Sequence, residues 1–186
     1  MFRSFEIMFE EAIKVGKLLA AARLIDGASG NMSFKMADSI YITRSGENLD
    51  DLTDSSFVKI KPGEFVKEAS VDQLIHLKIY EKTDYNAVLH CHGVFNVVLG
   101  NKMDRIEPLD LEGKLYFGEV EVVEGQFGSP ELAEGIAEVV KRKGVAVVRN
   151  HGIYAAGKSL RDAYNKASYV EHSCEILYRS MLLNKL

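Results

Sequence analysis

Tyr85-Asn86-Ala87-Val88-Leu89-His90-Cys91-His92 decides the architecture of this chain. Its apolar run predicts a strand, and side chains two apart on a strand point the same way, so His90 and His92 share a face while Cys91 turns to the other. A second run, Val145-Ala146-Val147-Val148, leads to Asn150-His151-Gly152 and sets a third histidine at the end of a second strand. Three neutral imidazoles with one open position are the pattern of a catalytic zinc, whereas structural zinc is usually closed by four protein ligands. An open position implies chemistry on a bound oxygen. A histidine on an apolar strand is as readily a hydrogen-bonded core residue, and spacing alone leaves both readings open. His76, inside Leu74-Ile75-His76-Leu77-Lys78-Ile79-Tyr80, reads as packed or hydrogen-bonded on a helix, and His172 as structural in a long C-terminal helix. Cys91 and Cys174 are too few and too far apart for a cysteine-based zinc knot.

Toward the N-terminus, apolar residues recur at helical spacing from Phe5 to Ile25, and Asp26-Gly27-Ala28-Ser29-Gly30 supplies a stop. Met32 to Lys35 and Ser39 to Thr43 read as strands. Phe57-Val58-Lys59-Ile60 and Glu64-Phe65-Val66-Lys67 flank Lys61-Pro62-Gly63 as a hairpin, so the early sheet is expected to be antiparallel. Ser70 stands before an amphipathic run from Val71 to Lys82 as a natural N-cap, where a phosphate or carboxylate could lodge.

Toward the C-terminus, Phe95, Val97, Val98 and Leu99 read as a short helix, Ile106 to Leu115 as irregular, and Glu119 to Val123 as a strand. Ser129-Pro130-Glu131-Leu132 opens a helix, with serine as N-cap and proline at the first helical position. Strands around Val145 to Arg149 and Ile153 to Ala156 follow, then an amphipathic helix from Ser159 to Leu183. The expected fold is α/β, one layered domain over 1–186 with a largely antiparallel central sheet covered by helices. Such a scaffold brings the ends of two strands together at one edge of the sheet.

Composition describes an ordinary globular protein, with 47% hydrophobic and 27% charged residues and only three prolines. A net charge of −4 argues against nucleic acid as a partner, and the densest basic cluster, Lys141-Arg142-Lys143-Gly144, reads as a solvated helix end. Met1-Phe2-Arg3-Ser4-Phe5-Glu6 does not resemble a secretory signal, and no apolar stretch approaches the roughly 20 residues that span a bilayer. No membrane partner is expected, and two cysteines without a disulfide framework suit a reducing cytoplasm. Cys91 reads as a buried, inert thiol.

Five ordered motifs, Gly30-Asn31-Met32-Ser33, Ile42-Thr43-Arg44-Ser45-Gly46, Ser70-Val71-Asp72 with His76, Asn86-Ala87-Val88-Leu89-His90-Cys91-His92 and Asn150-His151-Gly152, resemble the class II aldolase/adducin family. The resemblance runs from about Phe5 to Leu183 and is nearest to the family's fuculose-phosphate aldolases. It implies that His90, His92 and His151 hold Zn2+, with Mn2+ or Co2+ acceptable to the same imidazoles. It also implies that Asn31, Ser45, Gly46 and Ser70 bind the phosphate of a sugar phosphate, and glycine-rich turns and helix N-termini do offer N–H groups for such a task.

By the same resemblance, the expected reaction cleaves a ketose 1-phosphate to dihydroxyacetone phosphate and a small aldehyde, through a metal-stabilised enediolate, with a carboxylate as acid/base. That carboxylate position holds Asp72 where aldolases usually carry glutamate, a reach shorter by roughly 1.5 Å. Val71 stands where the second serine of the phosphate pair is usual. Asp72 keeps open ribulose-phosphate 4-epimerase or methylthioribulose-phosphate dehydratase chemistry, and a non-catalytic adducin-like module is the third alternative. The resemblance further implies a homotetramer with active sites at subunit interfaces, Tyr116 being the candidate tyrosine donated by a neighbour, and Arg44 is a candidate ionic contact to the phosphate.

Overall fold

In the computed structural model, which describes residues 2–183, the run ending at His90 lies at the middle of one sheet. The elements are α1 (Phe2–Ala21), β1 (Asn31–Met36), β2 (Ser39–Thr43), β3 (Phe57–Ile60), α2 (Gln73–Lys82), β4 (Ala87–Cys91) and α3 (Val94–Lys102). They continue as β5 (Arg105–Ile106), α4 (Leu111–Tyr116), β6 (Val120–Val123), α5 (Pro130–Lys143), β7 (Val145–Val148), β8 (Gly152–Gly157) and α6 (Leu160–Leu183). The strands run in the order β3-β2-β1-β4-β8-β7-β6-β5, and every pair is antiparallel except β6–β7. This is the α/β architecture expected from the sequence.

Register decides what faces what. Asn31 lies opposite His90, and His90 opposite Tyr154. Directly opposed residues of antiparallel strands project to the same side, so Asn31, His90 and Tyr154 form one row across β1, β4 and β8. The two-residue period adds Ser33 to that face and turns Phe34 and Cys91 to the other. Ser33 meets His76 and Tyr80 of α2, while Gly135 of α5 lies against Val123, so α2 and α5 cover the first face. On the second face Phe9 of α1 meets Phe34 edge-on at 5.4 Å, and α3 and α6 pack beside it. Met32, Phe34, Ile42, Leu89 and Ile153 are fully buried between these layers.

Local chemistry accounts for several boundaries. Ser129 accepts a hydrogen bond from the Leu132 N–H at 3.1 Å, Pro130 opens α5, and Gly144 closes it in the left-handed conformation at φ 74°. Gly16 lets α1 lie directly on the turn at Leu49, because a Cβ there would stand 1.7 Å from the Leu49 carbonyl oxygen.

Four expectations are corrected. Residues 64–67 form no strand: the side-chain amide of Gln73 takes both the N–H of Val66, at 2.9 Å, and its carbonyl, at 2.8 Å. Those backbone groups are thereby satisfied without a ladder, and β3 remains an edge. Helix α2 begins at Gln73 rather than at Val71, and Ser70 caps the preceding turn, its Oγ accepting from the Asp72 N–H at 3.3 Å. The stretch 106–115 is not wholly irregular, for it ends in α4, whose N-cap Asp110 accepts from the Gly113 N–H at 2.8 Å. Finally, α1 stops at Ala21 because Arg23 adopts φ 57° and Leu24 turns back to bond the Leu19 carbonyl. Among the described residues no helix is long and apolar enough to cross a membrane.

Candidate active site

The β1–β4–β8 row ends where the chain leaves β4, and there three imidazoles converge. His90 donates from Nδ1 to the Ile153 carbonyl at 2.9 Å, and its ring stacks on that of Tyr154, 4.1 Å away, and on that of His151, 4.5 Å away. That bond leaves Nε2 as the lone-pair nitrogen, 2.7 Å from Nε2 of His92. His92 follows β4 directly, its N–H bonded to the Leu24 carbonyl at 2.7 Å. His151 sits in the β7–β8 turn, which closes through the His151 N–H on the Val148 carbonyl and has Asn150 at φ 58°. Asparagine tolerates that left-handed conformation. At Gly152 the turn runs so close to β4 that a Cβ would stand 2.3 Å from the Cys91 carbonyl oxygen. One ligand atom from each histidine lies within 4.8 Å of the others.

Burial lowers the pKa of all three histidines. His90 falls well below the usual imidazole range, through desolvation and then the neighbouring His151 and His92. His92 is lowered by burial and His151, and His151 by burial, although Asp72 opposes both shifts. The neutral imidazole is the form that ligates a metal.

Asp72 completes the cluster. It is buried, its Oδ2 accepts from Asn31 Nδ2 at 2.7 Å and lies 3.8 Å from His90 Nε2, the Tyr154 hydroxyl interacts with the carboxylate, and its Oδ1 has no partner within hydrogen-bond geometry. A buried carboxylate oxygen without a partner is costly, so this atom calls for a cation or a substrate group. Three imidazole nitrogens beside it are a donor set that suits a divalent metal.

The phosphate candidates arrive through backbone pairing. Ser70 N–H bonds the Thr43 carbonyl at 2.9 Å, Ser45 N–H bonds the Glu68 carbonyl at 3.1 Å, and Arg44 bridges to Ala69. This zips the Ser45-Gly46 turn to the Ser70-Asp72 turn. The eight candidates for metal, phosphate and acid/base roles, Asn31, Ser45, Gly46, Ser70, Asp72, His90, His92 and His151, line one cleft of about 210 Å³. Arg44 also lines it, with Nε donating to the Ser55 carbonyl at 2.9 Å. A larger hollow of about 550 Å³, beside Phe65 and α2, contains none of them. Tyr116 lies outside the cleft, on α4, stacked on Tyr169 at 4.3 Å.

Sequence reasoning missed two aromatic residues. Tyr154 stacks on His90 and brings its hydroxyl to 3.4 Å from His151 Nε2, and the strand alternation through His90 and its partner strand was the signal for it. Phe127, with its ring 5.3 Å from that of His151, walls the cleft from a loop and carries no periodic signal.

The chain matches the Class II Aldolase and Adducin N-terminal domain family over residues 10–178. It is 32% identical over 181 residues to the L-fuculose phosphate aldolase of Methanocaldococcus jannaschii, covering 95% of this chain and 98% of that protein. It is 31% identical over 163 residues to the methylthioribulose-1-phosphate dehydratase of Persephonella marina, covering 77% of this chain and 74% of that one. The fold matches the crystal structure of L-fuculose-1-phosphate aldolase from Thermus thermophilus with a TM-score of 0.92, at 29% identity over 96% of both chains.

These likenesses make the chain an enzyme of the aldolase, or lyase, type, and they displace the reading of a non-catalytic module. It belongs to the class II aldolase and adducin family. Class II aldolases depend on a metal, and the His90, His92 and His151 group could hold one.

Proposed function

We propose that this chain is a zinc-dependent aldolase, one catalytic unit over 1–186, that reversibly cleaves a ketose 1-phosphate akin to fuculose 1-phosphate into dihydroxyacetone phosphate and a small aldehyde. The observation that carries it is the unpaired Oδ1 of buried Asp72 beside three neutral imidazoles, in the cleft that Asn31, Ser45, Gly46 and Ser70 also line. His90, His92 and His151 are the metal ligands in this reading. A divalent cation bound there supplies Lewis acidity to adjacent carbonyl and hydroxyl oxygens of the substrate.

The protein's own groups divide the remaining work. Asp72 holds or returns the substrate proton at Oδ1 while Asn31 keeps Oδ2 occupied. Ser45, Gly46, Ser70 and Asn31 donate to the phosphate, and the Arg44 guanidinium adds charge from the cleft wall. Val71, 66% exposed where a second serine is usual, leaves the backbone and Arg44 to compensate. Phe127 lends an apolar wall for the aldehyde portion.

A tyrosine from a neighbouring subunit protonates the leaving oxygen in this reading, with Tyr116 as the candidate, in a cytoplasmic homotetramer with active sites between subunits. Leu109, Leu111, Leu115 and Tyr116 leave a segment of exposed apolar surface in keeping with that assembly. Asp72 in place of glutamate, with the dehydratase likeness, supports a second reading in which the same site dehydrates or epimerises a pentulose phosphate.

Metal content measured together with cleavage of fuculose 1-phosphate and ribulose 1-phosphate, coupled to detection of dihydroxyacetone phosphate, tests the choice. Bound zinc with triose-phosphate release, both lost in His92→Ala, supports the aldolase. Bound zinc without release favours the second reading.

A further inference from the structure

Asn31 lines the cleft beside Asp72, and its amide is gripped at both ends. Its Nδ2 donates to Asp72 Oδ2 at 2.7 Å, and its Oδ1 lies 2.6 Å from His76 Nε2. His76 Nδ1 is 2.7 Å from the Ser33 hydroxyl, which is 2.8 Å from that of Tyr80. All five residues are buried.

The direction of every bond follows from its neighbour. A carboxylate only accepts, so Asn31 must turn its NH2 to Asp72 and its carbonyl to His76. The carbonyl only accepts, so His76 carries its hydrogen on Nε2. A neutral imidazole protonated there accepts at Nδ1, so Ser33 donates to it and Tyr80 donates to Ser33. Burial keeps the ring neutral by bringing its pKa down to about 4, against the opposing pull of Asp72.

We infer that His76, whose side chain bonds Asn31 without itself lining the cleft, is a positioning residue: it locks the Asn31 amide with its nitrogen forward, so that one N–H holds Asp72 and the other meets the substrate phosphate. This rests on the proposed function above. Released from His76, the amide is free to rotate by half a turn and set Oδ1 against two anions, the carboxylate and the phosphate. Ser33 and Tyr80 extend the lock by fixing the His76 tautomer.

The test compares His76→Gln with His76→Asn in the metal-loaded protein, since a glutamine amide nitrogen falls near the site of Nε2 and an asparagine nitrogen near that of Nδ1. The probe is dihydroxyacetone phosphate, titrated by calorimetry, with steady-state kinetics alongside. His76→Asn is expected to weaken binding about 10- to 100-fold and to raise KM more than it lowers kcat, and His76→Gln to restore affinity to within about threefold. A folded His76→Asn protein that binds within about twofold of wild type overturns the inference and leaves the aldolase reading intact. Wild-type protein that fails to bind the probe at all sinks both together. A second readout needs no variant: nitrogen-15 NMR of histidine-labelled protein must find His76 neutral with its proton on Nε2, and a proton on Nδ1 at neutral pH overturns the lock.

Discussion

His90 and Ile153 are joined across β4 and β8 by a hydrogen bond of 2.9 Å from the imidazole Nδ1 to the main-chain carbonyl. The acceptor belongs to the sheet itself, so the tautomer and the aim of His90 Nε2 are set by the ladder rather than by a mobile side chain. An imidazole fixed this way is preorganised, and the consequences are measurable.

Elemental analysis of the purified protein should find about one divalent ion per chain, the stoichiometry of a three-histidine centre. In His92→Ala the affinity should fall by more than the roughly 10- to 100-fold typical of losing an outer-shell partner. Added zinc at about 100 times its Kd should stabilise the wild type by about 2.7 kcal/mol, seen as a rise in Tm that the variant lacks. Equal Tm shifts in the two proteins would exclude this site.

Asp72→Asn keeps the shape and an oxygen for Asn31 but removes the proton acceptor. Its kcat should drop about 10²- to 10⁴-fold with metal content unchanged. Full activity in this variant would assign the proton transfer to another group.

Gly152→Ala tests the tight approach of the β7–β8 turn to β4. The new Cβ would lie 2.3 Å from the Cys91 carbonyl oxygen and 2.8 Å from His92 Cδ2. Relieving that clash costs about 1–3 kcal/mol and displaces His92, so both Tm and metal affinity should decline. An unperturbed metal site would mean that the turn can shift without moving His92.

His76 makes stability depend on pH. Its folded pKa, about 4, is below the ordinary 6.5, so between these values the unfolded chain binds more protons than the folded one. Its stabilising contribution is complete above pH 6.5 and is lost as pH falls toward 4, at up to about 1.4 kcal/mol per unit and about 3 kcal/mol in all. Denaturant titrations of wild type and His76→Gln over this range should diverge by that amount, and parallel curves would refute it.

Leu115 is 72% exposed on α4, close to Leu111 and Tyr116. Leu115→Glu should reduce the assembly seen by sedimentation and, if a neighbour supplies Tyr116, lower kcat with it. A smaller assembly with undiminished kcat would remove Tyr116 from the reaction.

Sequence by itself determined whatever is local in period. The run to His90 had to alternate, which put Cys91 on the opposite face and buried it, and Ser129, Pro130 and Gly144 bounded α5 by their own backbone chemistry. The motif residues of the cleft were legible too, because turn glycines, serines and strand-end histidines carry their chemistry with them. Tertiary structure alone decided what those residues meet. Gln73 takes up both main-chain groups of Val66 and cancels a strand that the apolar pattern of 64–67 favours. Asn31 reaches Asp72 across 41 residues and His76 across 45, and only strand register with helix packing brings them within hydrogen-bond range. The tautomer of His90, the orientation of the Asn31 amide and the lone oxygen of Asp72 follow from those non-local contacts, because a buried polar group's state is set by its neighbours and no local pattern encodes them.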